Sequence, residues 1–86
     1  MQVRVQVFAS FREAVGSRSV ELDLGERPTV RELLEAMSER WPALGPALET
    51  AMVAVNLEYV GREFEIRAGD DIGIIPPVSG GGLSQE

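Results

Sequence analysis

Carboxylates are the most numerous titratable side chains in this sequence, and side-chain nucleophiles are scarce. It has 14 Asp and Glu, eight Arg, no Cys and no His, and since every basic residue is Arg it has no Lys. That removes thiolate and imidazole metal sites, Cys nucleophiles, His-based triads, disulfides, Schiff-base lysines and phosphate-binding P-loops. One acidic pair, Asp70–Asp71, follows Gly69, a setting that reads as a turn and not as a cation site. Every chain has one further reactive group, the carboxylate of a terminal residue. The segment Pro76-Pro77-Val78-Ser79-Gly80-Gly81 suits its presentation.

The two prolines cannot donate to a sheet and favour an extended polyproline conformation, so the chain should leave the body there. Ser79, Gly80 and Gly81 have little or no side chain and fit a narrow channel. At about 3.3 Å per residue, Val78 to Gly81 reach about 13 Å. A glycine carboxylate also lacks a Cβ to shield its carbonyl carbon. Gly-rich ends are usually frayed linkers. Here, however, the glycines directly follow an aliphatic strand and a double proline, without a general Ser/Gly drift.

What must carry such a tail is one small body. Eighty-six residues allow a single core, and 44% hydrophobic with 26% charged residues is ordinary globular material. A net charge of −6 argues against nucleic acid and fits a partner with positive charge. No apolar run approaches the roughly 20 residues that cross a bilayer, and the start alternates instead of forming a signal peptide, so the cytoplasm is the expected compartment.

The alternation of Val3, Val5 and Val7 predicts a strand over 2–8, and Val20, Leu22 and Leu24 predict a second one. Between them Phe11 and Val15 suggest a short helix closed by Gly16. Thr29 with Glu32 forms a capping-box signature for the main helix, whose apolar stripe is Val30, Leu33, Leu34 and Met37. Pro42 ends it after Trp41, which should cover the helix end. A short or irregular helix is expected over 43–51. Val53, Val55 and Leu57 predict one inward strand face, with Asn56 a turn residue tolerating left-handed geometry. Phe64 and Ile66 predict another strand, and Ile72 and Ile74 the last.

One sheet with one main helix on one face is an α+β roll, with a body over 1–78 and a tail over 79–86. Periodicity leaves the strand order open. Phe8 and Ile75 fall outside the inward sets and are candidates for a partner-docking patch continuing into Pro76, Pro77, Val78 and Ser79. Arg12 and Arg40 read as solvated or surface-paired.

The stretches "VxVFASFREAVG", "TVRELLEAM", "VAVN" and "GDDIGIIPPVSGG" together resemble the MoaD/ThiS sulfur-carrier family, which is related in fold to ubiquitin. The likeness runs over about residues 1–81 and leans to the MoaD type, the small subunits of molybdopterin synthase. It implies a β-grasp fold in which the first and last strands are parallel central neighbours. It also implies a carrier with no bound cofactor and no catalysis of its own. An ATP-dependent adenylating enzyme would activate Gly81, sulfur transfer would give a thiocarboxylate, and Gly80 would thread beside it. The tail would then enter the synthase large subunit, commonly in a heterotetramer, to deliver sulfur to cyclic pyranopterin monophosphate. Carriers for thiamin thiazole or tRNA thiolation, and protein modifiers, share the fold, and "FREAVG" favours the molybdopterin branch. A β-grasp interaction module with an inert tail is the remaining alternative.

Residues 82–86, "GLSQE", depart from the family's double-glycine ending. Either a peptidase trims the chain after Gly81, with Gly82 as a second possible terminus, or the chain is not a working carrier. Trimming is the expectation adopted.

Overall fold

The computed structural model describes residues 1–77. The alternation at the start forms β1, Gln2–Val7, with Val3, Val5 and Val7 buried and Gln2, Arg4 and Gln6 exposed. Helix α1, Ser10–Val15, drops Phe11 into the core and ends at Gly16, whose φ of 77° lets its N–H reach the Arg12 carbonyl at 2.8 Å. β2, Ser19–Asp23, returns antiparallel to β1, with Val3 opposite Leu22 and Val5 opposite Val20.

The capping box is present. Thr29 Oγ1 accepts from the Glu32 N–H at 3.3 Å, and the Thr29 N–H donates to Glu32 Oε1 at 2.9 Å. Helix α2, Val30–Arg40, buries the predicted stripe of Val30, Leu33, Leu34 and Met37. Trp41 closes it, half-buried against the core, with Arg40 stacked 4.7 Å from its ring. A 3₁₀ turn over Pro42–Leu44 leads into α3, Gly45–Glu49, where Leu44 and Leu48 are buried.

Two expected strands differ from the structure. The strand through Leu57 is instead a hairpin of β3, Met52–Val55, and β4, Glu58–Val60. Asn56 and Leu57 form its two-residue turn with φ of 53° and 72°. Leu57 therefore points out, 93% exposed, and not into the core. The left-handed geometry expected at Asn56 is present, and its side chain secures the turn. Asn56 Nδ2 donates to Asp70 Oδ1 at 3.1 Å, and Asn56 Oδ1 accepts from the Asp71 N–H at 3.0 Å.

The segment with Phe64 and Ile66 is no sheet strand. It crosses the start of α2, where Phe64 and Arg62 offer carbonyls to the Val30 and Arg31 N–H groups at 3.0 and 2.9 Å. Those first-turn donors have no partner within the helix, so they capture the segment that alternation assigned to the sheet. Ile66 still reaches the core, while Phe64 stays exposed.

β5, Ile72–Ile75, completes a five-stranded sheet in the order β2-β1-β5-β3-β4. β5 runs parallel to β1 and antiparallel to β3, so the sheet is mixed and its two central strands are the first and last, as in a β-grasp. The helices and the apolar side chains they cover lie on one face of it, and no polar side chain is buried among the described residues. Leu33 is fully buried within this core, so Leu33→Ala is expected to destabilise by about 3 kcal/mol through lost burial and a cavity. Thermal unfolding of the variant checks this.

Candidate docking face and tail root

The side chains of the sheet that point away from the helices divide into two halves. On β1 and β2 they are polar: Gln2, Arg4 and Gln6 stand opposite Asp23, Glu21 and Ser19. Arg4 and Glu21 pair at 3.3 Å, both well exposed. On β5, β3 and β4 they are apolar or small. Ile75 stands opposite Met52 and Gly73 opposite Ala54, which in turn faces Tyr59. Such residues on a half-exposed face make this half of the sheet a candidate docking face.

Phe8 joins the apolar half from the end of β1. Its ring lies over Gly73, where a Cβ would come within 3.1 Å of Cε2. The missing side chain at Gly73 thus leaves room for the Phe8 ring to approach the β5 backbone. With Leu57, Tyr59 and Ile75, Phe8 borders a shallow depression of about 270 Å³. Tyr59 is 64% exposed. Phe8 and Ile75, predicted as patch residues, are therefore brought together, both half-buried. The sequence reading missed Met52, Ala54, Leu57, Tyr59 and Gly73. Their signal was available in part, since β3 places an apolar Met52 and a small Ala54 at outward positions where a solvated face would carry polar residues.

The parallel pairing fixes where the chain leaves. Val7 stands opposite Ile74, so β1 and β5 end at the same side of the sheet, with Phe8 next to the point where Ile75 hands over to Pro76. Pro76 is half-buried and Pro77 exposed, and no strand continues through them. Val78, Ser79, Gly80 and Gly81 lie outside the described residues.

The arginines expected to be solvated or surface-paired, Arg12 and Arg40, are both exposed, and each also donates to a backbone carbonyl. The Nε of Arg12 donates to the Val7 carbonyl at 2.9 Å, and its guanidinium lies 5.3 Å from the Phe8 ring centre. Arg40 donates to the Glu21 carbonyl at 3.4 Å. The Asp70–Asp71 pair forms the turn predicted for it, with Asp70 Oδ2 accepting from the Arg67 N–H at 2.8 Å. Among the described residues no cluster of potential metal ligands occurs and no helix is long and apolar enough to cross a membrane.

Residues 5–81 match the ThiS family. The chain belongs to the ThiS family. Its curated relatives include the molybdopterin synthase sulfur carrier subunit of Dictyostelium discoideum, 36% identical with 93% of this chain and 96% of that one covered. The Escherichia coli protein of that name is 35% identical, with 92% and 99% covered. Among solved structures, small archaeal modifier protein 1 of Methanosarcina acetivorans superposes with a TM-score of 0.77 at 31% identity, covering 93% of this chain and 96% of that one. The ThiS-family match ends at Gly81, so the five residues that follow lie beyond it.

Proposed function

We propose that the chain is the sulfur-carrier subunit of a cytoplasmic molybdopterin synthase, with the Gly81 carboxylate as the group that holds the sulfur. The observation that carries this reading is the apolar half-sheet around Phe8, Tyr59 and Ile75, which adjoins the root of the segment that holds Gly80 and Gly81. Full-length likeness to curated carrier subunits supports it.

The division of labour follows from the residues. A chain without Cys, His or Lys has no side chain to activate a carboxylate or hold sulfur, so both steps belong to partners. An adenylating enzyme would join the Gly81 carboxylate to the α-phosphate of ATP and release pyrophosphate. A sulfide equivalent would then attack the acyl carbon and expel AMP, leaving a thiocarboxylate. The body would dock on the large subunit by its apolar half-sheet and aim the glycines inward. Before any of this, cleavage of the Gly81–Gly82 bond must free the carboxylate, a task assigned to a peptidase.

Reconstitution tests the reading. Thiocarboxylated chain ending at Gly81, the large subunit and cyclic pyranopterin monophosphate should together yield molybdopterin. Omitting the chain should yield none, and failure of the complete mixture would contradict the proposal.

A second reading, a protein modifier, is favoured by the archaeal structural relative. In that role the chain could be joined to an amine of another protein but offers no lysine as an acceptor itself. Conjugates in cell extracts would distinguish it.

A further inference from the structure

Arg12 stands at the corner where the apolar half-sheet meets the root of the tail. Two contacts hold it there: its Nε donates to the Val7 carbonyl at 2.9 Å, and its guanidinium covers the Phe8 ring at 5.3 Å. Both fix the planar group without neutralising it. Among the described residues no carboxylate pairs with Arg12, although Arg4 and Arg31 have such partners. Its two terminal nitrogens carry four N–H donors in a fork that matches a carboxylate end-on.

We infer that Arg12 determines the specificity of the docking face by receiving a carboxylate from the protein partner that covers Phe8 and Ile75. The partner's identity rests on the sulfur-carrier reading above. A net charge of −6 draws a basic surface toward the chain, but diffuse attraction does not set orientation. A fixed cation at the Phe8 end of the depression, opposite the Asp71 carboxylate that lines its other end, does. Rotated poses would bury it against apolar or basic surface without a counter-ion, which is unfavourable. The register that places a carboxylate on Arg12 is also the one that aims the tail root at the partner. Arg12 makes the cation nearly free in conformational terms, because the stacking on Phe8 already restrains the side chain.

Calorimetric titration of the full chain with the large subunit tests this, at about 50 mM and about 500 mM salt. Arg12→Ala should bind about tenfold more weakly than wild type at low salt. Arg12→Lys, which keeps the charge but loses the fork and the stacking on Phe8, should recover only part of that loss. The gap between wild type and Arg12→Ala should narrow at high salt. Equal affinities at low salt would overturn the inference. So would a loss equal at both salt levels and not recovered by Lys, which would reduce Arg12 to a support for Phe8. Absence of binding by the wild-type chain would overturn the large-subunit reading and this inference with it.

Discussion

A chain carrying Ile75→Asp should fold as the wild type does and fail to bind the proposed partner, a molybdopterin synthase large subunit. Ile75 is the outward residue of the last strand, half-buried beside Phe8, so a carboxylate there stays in contact with water in the free protein. The change in strand preference amounts to about 1 kcal/mol or less. On docking the same carboxylate would lose its water inside an apolar contact, at a cost of several kcal/mol without a counter-ion. Affinity should fall about a hundredfold or more, since 2.7 kcal/mol is roughly a factor of 100. Ile74→Asp, one residue earlier and fully buried, should instead abolish folding. Thermal unfolding and calorimetric binding of the two variants separate these outcomes. Unchanged binding by Ile75→Asp would remove the half-sheet from the interface.

Ending the chain at Ser79 should leave unfolding unchanged and reduce sulfur transfer to zero. The core is complete within the described residues, from Val3 to Ile74. Relative to the chain ending at Gly81, truncation removes two glycines whose carboxylate has no Cβ beside it and whose width is that of backbone alone. A serine at the end places a hydroxymethyl group at the carbon to be activated and shortens the reach by about 7 Å. Restoring the length with Gly80→Val and Gly81→Val should not restore transfer, because branched side chains would not fit the narrow channel that the proposal assigns to the partner. Product formation in the reconstituted synthase measures both. Transfer by the Ser79-ended chain would show that the glycines are dispensable.

Much of the body was legible because its signals are local. The capping box at Thr29 and Glu32, the stripe of α2 and the alternation of β1 each reflect contacts within a few residues, and the structure repeats them. The misread strands share one cause. At Leu57 the alternation continues through a turn whose left-handed pair, Asn-Leu, lacks the glycine that usually marks it. The turn holds because Asn56 is bonded to Asp70 and Asp71, which lie 14 and 15 residues away. At Phe64 the partner is the exposed start of α2, again distant in sequence.

The docking face was legible at Phe8 and Ile75, which break the inward sets of their own strands. Tyr59 and Ala54 become neighbours of that pair only through the β3–β4 hairpin and the β3–β5 register. Gly73 carried no sequence signal at all. Its role appears only when the Phe8 ring is seen to lie on it. Arg12 looked like a solvated cation because its anchors, a carbonyl and a ring face, leave no charge pattern in the sequence.

The most direct measurement is the intact mass of the chain ending at Gly81 after incubation with a carrier-activating adenylating enzyme, ATP and a sulfide source. A sulfur carrier gains the mass of one sulfur in place of one oxygen, located by fragmentation at Gly81 and absent when ATP is withheld. A chain whose mass stays unchanged under those conditions, with the enzyme shown active on its own carrier, would contradict the account.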